Sequence, residues 1–142
     1  MTARSRIVDA LITKFKDISV KNGYNTNIYK NVYKGIKFWD AITDFPAVYI
    51  AAGPETREYL PGEFKWAFLN ITARIFVKED DPQARLELII EDIETVLDAN
   101  NSLVYDTGKE TVEISILSIT TDEGILTPYG AAEIIFQIRY DL

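Results

Sequence analysis

Residues 64–77 read Phe-Lys-Trp-Ala-Phe-Leu-Asn-Ile-Thr-Ala-Arg-Ile-Phe-Val, and this stretch constrains the fold more than any other. As a strand it sends Lys65, Ala67, Leu69, Ile71, Ala73, Ile75 and Val77 to one face. Phe64, Trp66, Phe68, Asn70, Thr72, Arg74 and Phe76 go to the other. The first face is an ordinary core surface. The second is aromatic at both ends and polar in the middle, so it suits neither a plain core nor plain solvent. Fourteen extended residues reach about 46 Å, whereas a compact 142-residue chain has a diameter of about 37 Å. Such a strand bends or projects from the body. It reads as a strand that serves an interface.

The rest of the chain supplies what covers that strand. Residues 3–21 read as an amphipathic helix, with Ile7, Leu11, Phe15 and Ile18 at near-helical spacing and Asn22-Gly23 as its stop. Asn27 to Lys34 alternates weakly and reads as a first strand ended by Gly35. Residues 36–45 read as a loop with a helical turn. Pro46 opens a short apolar strand, Ala47 to Ala51, ended by Gly53-Pro54. Glu55 to Glu63 is polar, with turn chemistry at Pro61-Gly62, and joins the second strand to the long third one as an extended hairpin tip.

Asp81 suits an N-cap and Pro82 the first helical position of a helix over 82–99. Its apolar face holds Leu86, Ile89, Ile90, Ile93, Val96 and Leu97, while Glu87, Glu91, Asp92 and Glu94 take the other. Val104-Tyr105 suggests a short strand, Thr111 to Thr121 a longer one, and Ala131 to Tyr140 the last, after a turn over 121–130. The fold class expected is α+β, with element order α-β-β-β-α-β-β. It is a mostly antiparallel sheet of about five strands with two covering helices and a projecting long hairpin. A single domain over residues 1–142 accommodates all of it.

Composition narrows the function classes. The chain has no cysteine and no histidine. Disulfides, thiolate nucleophiles and Cys-ligated zinc are thereby excluded, together with Ser-His triads and most transition-metal hydrolases. A hydrophobic share of 47% and a charged share of 26% belong to a globular chain. No apolar run approaches the roughly 20 residues of a membrane span. The first residues lack the apolar core of a secretion signal, so synthesis and residence in a cytoplasm are expected. Residues 1–45 carry eight Lys/Arg against four Asp/Glu, a balance of +4; the remainder carries seven against eighteen, a balance of −11. An acidic body repels phosphate backbones, which argues against nucleic-acid binding as the main activity. The sign split is compatible with one subunit's basic face meeting a neighbour's acidic one, although solvated surface charge explains most single residues.

Candidate chemistry is thin. Glu79-Asp80-Asp81, with Glu91, Asp92 and Glu94, would form a two-metal site only if the carboxylates converged; helix-start chemistry explains the first three better. Asp122-Glu123-Gly124 offers an acid/base pair or simply a turn. There is no GxGxxG, P-loop, calcium loop or RNP-like motif, so no cofactor, metal or catalytic residue is expected. Lys30, Lys34 and Lys37, interleaved with Tyr29, Tyr33 and Trp39, superficially suggest a nucleic-acid surface. Phe64, Trp66 and Phe68 suit a ligand pocket, a second buried layer or a subunit interface, and the last two need no extra assumption.

The layout also resembles the tail terminator proteins of long-tailed bacteriophages. The resemblance is carried by Arg6-Ile7-Val8-Asp9-Ala10-Leu11, Phe45-Pro46-Ala47-Val48-Tyr49-Ile50 and the strand ending Arg74-Ile75-Phe76-Val77. It continues through the helix Leu86 to Leu97, Asp122-Glu123-Gly124, and Tyr129-Gly130-Ala131-Ala132-Glu133-Ile134 leading to Tyr140. It implies an α+β structural protein of the virion tail and neck, present in the host cytoplasm during assembly and not an enzyme. Its members act as a hexameric ring that caps the tail tube, stops elongation and joins the tail to the head connector. The partners implied are further copies of the chain, the tail tube protein and the connector, with DNA only passing through the ring lumen and no membrane. Tyr59, Leu60, Phe64, Trp66 and Phe68 are the residues expected to carry subunit or tube contacts. Three alternatives stand beside this reading. One is another phage neck or tail-completion protein. The second is a carboxylate-based hydrolase or nuclease that depends on Glu91 or Asp122. The third is a monomeric cytoplasmic module holding a peptide by strand addition.

Overall fold

The computed structural model describes residues 2–142, except for the Trp39 side chain. Thr2 opens the first helix: its hydroxyl accepts from the Ser5 N–H at 3.1 Å and caps α1 (Ala3–Phe15). Ile7, Val8, Leu11 and Phe15 form its buried stripe. The helix stops at Phe15 rather than residue 21 because side chains beyond it claim the backbone groups. Asn22 donates from Nδ2 to the Asp17 carbonyl at 2.9 Å, and Asn27 Oδ1 accepts from the Val20 N–H at 2.9 Å. The Ser19 hydroxyl caps a 3-10 turn, Val20–Asn22. These are the local bonds with which Ser and Asn compete against helix. Ile18 is still fully buried, so the apolar spacing marks the core although a turn, not a helix, delivers it.

The first strand is also shorter than its alternation suggests. Residues 28–30 form a 3-10 turn, and only β1 (Val32–Lys34) is extended. It pairs parallel with β2 (Ala47–Leu60), which pairs antiparallel with β3 (Phe64–Lys78). After α2 (Pro82–Ala99) comes a small hairpin, β4 (Val104–Asp106) with β5 (Lys109–Glu110), tied to α1 by an Arg6–Asp106 ion pair. The last strands are β6 (Glu113–Thr121), which begins two residues later than Thr111, and β7 (Tyr129–Asp141). The main sheet has five strands in the order β1-β2-β3-β7-β6. Its long central strand pairs along both edges, with Trp66 opposite Asp141 and Lys78 opposite Tyr129.

Gly53-Pro54 does not end β2. The register steps from Ala52 opposite Ile71 to Glu55 opposite Leu69, a bulge with one extra residue. Gly53 fits there because a Cβ would stand 3.3 Å from the Asn70 carbonyl oxygen, and Pro54 is tolerated where the ladder is interrupted. The bulge also changes the alternation. Val48 and Ile50 face the core before it; Glu55, Arg57 and Tyr59 take that side after it.

Both helices cover one face of the sheet. Leu69, Ile71 and Ile75 of β3 meet Ile134, Phe136 and Ile138 of β7 beneath Leu11 and Phe15 of α1 and Leu86, Ile89 and Ile93 of α2. Fully burying each such side chain stabilises the fold by about 1.5–3 kcal/mol. Asp81 caps α2 by accepting the Ala84 N–H at 3.2 Å. Where α2 begins it lies so close to β7 that a Cβ on Gly130 would come within 2.9 Å of Pro82 and Val77. Asp92 departs from the solvent-facing position expected for it. It is 2% exposed and accepts the N–H groups of Asn25 and Thr26, at 2.8 and 2.9 Å, and the Thr26 hydroxyl at 2.6 Å. A carboxylate inside the protein needs such donors, and here they come from the turn after α1. Lys65, on the core side by alternation, is exposed, since the helices do not reach that end of β3. No described helix is long and apolar enough to cross a membrane.

Candidate functional site

The second face of the sheet carries no helix, and its side chains fall into three zones set by register. At the end of β3 near its start, Phe68 pairs with Arg139 and Trp66 with Asp141. The Arg139 guanidinium lies 3.4 Å from the centre of the Trp66 ring, a cation–π contact. The middle is polar: Gln137 donates to Asn70 Oδ1 at 3.2 Å, and Arg74 Nε contacts Glu133 at 3.0 Å. At the far end the loop over residues 36–46 folds back. There Ile42, Ala47, Tyr49 and Phe76 form a second small core, with Tyr33 stacked on Tyr49 at 5.2 Å. The Tyr33 and Tyr49 hydroxyls are shifted upward in pKa, first by burial and then by the nearby Asp44 carboxylate. The two ends that read as equally aromatic are therefore unlike: one is closed by the chain itself, the other is left open.

The open end carries the five residues singled out from sequence. The turn at Pro61–Glu63 projects past the end of β7, and residues 56–59 and 61–65 are all exposed. Tyr59 is 68% and Phe64 66% exposed; Leu60, Trp66 and Phe68 are half-buried. The pairing of Leu60 with Phe64 and Glu58 with Trp66 puts Leu60, Phe64, Trp66 and Phe68 on the open face. Tyr59 pairs with Lys65 and points to the opposite side, where the Lys65 ammonium sits 5.4 Å over its ring. The structure thus brings four of the five together and separates the fifth.

This tip is built to hold its shape. Gly62 has φ 81° and Glu63 φ 66°, and a glutamate in that left-handed conformation costs about 1–2 kcal/mol. The Phe64 ring lies over the turn, within 3.2 Å of where a Cβ on Gly62 would stand. At the root of the hairpin, Glu55 accepts from the Tyr140 hydroxyl and from Arg57 Nε at 2.8 Å. The Tyr140 hydroxyl is pushed well above its ordinary pKa by burial first and by Glu55 second.

At the closed end lies a groove of about 360 Å³, lined by Phe38, Phe76, Leu126 and Ala131 together with Lys37, Arg74, Asp122 and Glu133. Phe38 is 79% exposed and Ile125, in the adjoining turn, 83%. Neither was singled out from sequence. The available signal was a large apolar residue inside a segment that reads as loop or turn, where solvent would select against it.

The family model described as Bacteriophage Tail Tube Terminator Protein matches residues 1–142. The chain belongs to this family of tail terminators. It is 37% identical over 152 aligned positions to tail tube terminator protein p142 of Escherichia phage T5, covering 99% of this chain and 94% of that one. Its fold is similar to that of a chain in the virion of a native gene transfer agent particle. The TM-score is 0.67 with 12% identity, over 96% of this chain and 95% of the other.

Five of the carboxylates weighed as candidate chemistry hold the fold of this terminator chain. Glu79 pairs with Arg85 at 3.0 Å, Asp81 caps α2, and Asp92 binds the Asn25-Thr26 turn. Glu91 accepts from Asn25 Nδ2 at 3.0 Å. Asp122 accepts from the Leu126 N–H at 3.2 Å and so shapes the turn, where Glu123 has φ 56°. Among the described residues, no three acidic groups converge on a common point that suits a metal ion. The basic residues disperse likewise. Lys34 pairs with Asp9 at 2.5 Å, while Lys30 and Lys37 lie over the rings of Tyr29 and Tyr49. The Trp39 side chain lies outside the described residues.

Proposed function

We propose that this chain works as a hexameric ring, one domain per subunit, that caps the finished tail tube, stops its growth and joins the tail to the head connector. It acts through shape and charge complementarity, without turnover. The observation that carries the reading is the projecting β2–β3 tip beside an uncovered sheet face, in a chain of the tube terminator family. Tyr59 and Phe64 expose large apolar surface at the tip, and aromatics at that density favour an interface core. The two unlike sides of the tip suit a subunit that meets two neighbours: Leu60, Phe64, Trp66 and Phe68 on one, Tyr59 on the other. The partners are further copies, the tail tube protein and the connector. The site of action is the virion neck, after assembly in the host cytoplasm. The acidic balance of −11 over residues 46–142 lets DNA slide through the lumen without adhering.

Light scattering across a concentration series, followed by addition of the protein to polymerising tail tube subunits, tests this reading. The expected result is a species of six 16.2 kDa chains and tubes that stop lengthening once capped. Tubes that grow equally well with and without the protein would sink it.

A further inference from the structure

The tip and the groove lie at opposite ends of β3, and the charges that stay out of ion pairs there include carboxylates at the tip and an ammonium at the groove. The tip presents Phe64 on a preformed turn, flanked by the carboxylates of Glu58 and Glu63, which make no ion pair among the described residues. The groove offers Phe38, Phe76 and Leu126 as an apolar floor; its lining also holds Arg74 and Glu133, paired with each other, and Asp122, which accepts the Leu126 N–H. Beside it stands the Lys37 ammonium, which has no carboxylate partner among the described residues and rests 6.0 Å over the Tyr49 ring. Phe64 and Phe76 are separated along β3 by roughly 40 Å, so the tip cannot fill the groove of its own chain.

We propose that the β2–β3 tip of one copy seats in the Lys37–Phe38 groove of the next, Phe64 against the apolar floor and Glu63 toward Lys37. The proposal rests on the ring reading above and names the contact that closes the ring. A patch that complements a pocket elsewhere on the same surface generates head-to-tail contacts, and these close into a ring when the rotation between copies allows. The second copy is favoured over an unrelated partner because both halves of the contact are present on every chain: Phe64 with the Glu58 and Glu63 carboxylates, and the groove with the Lys37 ammonium, none of the three charges in an ion pair among the described residues. The strained turn at Glu63 is consistent with a docking element held in its bound shape beforehand.

The chain has no cysteine, so a Phe38→Cys/Glu63→Cys double variant reports the contact without background. Mild oxidation is expected to give a ladder of linked oligomers ending at the ring size, while either single variant gives at most a dimer. If the double variant links no further than the singles, the tip–groove contact is wrong. Light scattering of the unaltered chain then separates the two readings. Rings without a ladder leave the ring standing on another interface, and monomers without a ladder remove both. A second measurement mixes Phe64→Ser with Lys37→Glu, each first shown by its melting temperature to be folded. Each alone is expected to lose assembly, and the mixture to stop at dimers, since one sound tip meets one sound groove. Rings from either variant alone overturn the proposal. If Phe64→Ser forms rings and loses only tube binding, the tip belongs to the tube protein instead.

Discussion

The two faces of β3 are made by the same fifteen residues and have opposite fates. On one face Leu69, Ile71, Ala73 and Ile75 are fully buried beneath two helices. On the other, Asn70, Thr72 and Arg74 stand half-buried with no element of the chain over them. A covered face stabilises the fold through removal of apolar area from water, whereas an uncovered one contributes little to stability and is free to serve contacts. The difference shows that β3 is both the spine of the domain and the rail along which the tip is displayed.

The largest test of that contrast is a pair of neighbouring truncations. Ile71→Ala should cost about 2–5 kcal/mol by urea unfolding, through lost burial and the cavity left behind. Thr72→Ala, one residue on, should stay within about 0.5 kcal/mol. Equal costs would mean that the open face is covered too. Asp92→Ala should come next, at about 2–3 kcal/mol, because it strands the donors of Asn25 and Thr26 inside the protein. Glu91→Ala, at the adjacent exposed position, should be near neutral.

The pH dependence sharpens the comparison further. The Tyr140 hydroxyl on the covered side has a raised pKa, with burial and then Glu55 as causes. A group raised in the folded state contributes its full stability below the ordinary tyrosine range, near 10, and loses it as pH climbs toward the folded value. Melting temperature should therefore fall above about pH 10, and Tyr140→Phe should weaken that fall, whereas Tyr59→Phe at the exposed tip should not. An unchanged alkaline profile in Tyr140→Phe would show that the buried hydroxyl is not responsible. Smallest of all, Arg74→Met should cost about 0.5 kcal/mol. The Arg74–Glu133 pair is part-exposed and spans the open face, and its contribution should fade in high salt.

What was legible in the sequence follows from the range of the forces involved. The period-two alternation of β3 and the Asp81-Pro82 start of α2 are local patterns, and both elements form where they read. The end of α1 was missed because Asn22, Ser19 and Asn27 compete for the backbone only once the following turn has formed. Gly53-Pro54 has the same local chemistry in a stop and in a bulge; the continuing partner strand beyond Asn70 decides between them. Asp92 sits on a helix next to Ile93, and its donors lie 66 and 67 residues away, beyond any local pattern. The same limit applies to the candidate site. Leu60, Phe64, Trp66 and Phe68 share a face that alternation foretells, but the groove is assembled from residues 37–38, 74–76 and 120–133, which meet only in the folded chain.

The single extra residue at Gly53-Pro54 is a phase shift absorbed within one strand. Ala52 and Glu55 stand three positions apart and still share the core side of the sheet. Deleting one of the two bulge residues would leave Ala47–Ala52 and Glu55–Leu60 opposite their present partners, so Tyr59 and Leu60 would keep their sides. What would change is the local bend that a bulge imposes on its strand. A length change at this point thus re-aims the tip without re-facing it, and a lineage can adjust the reach of the hairpin in one mutational step while the core under α1 and α2 keeps its composition.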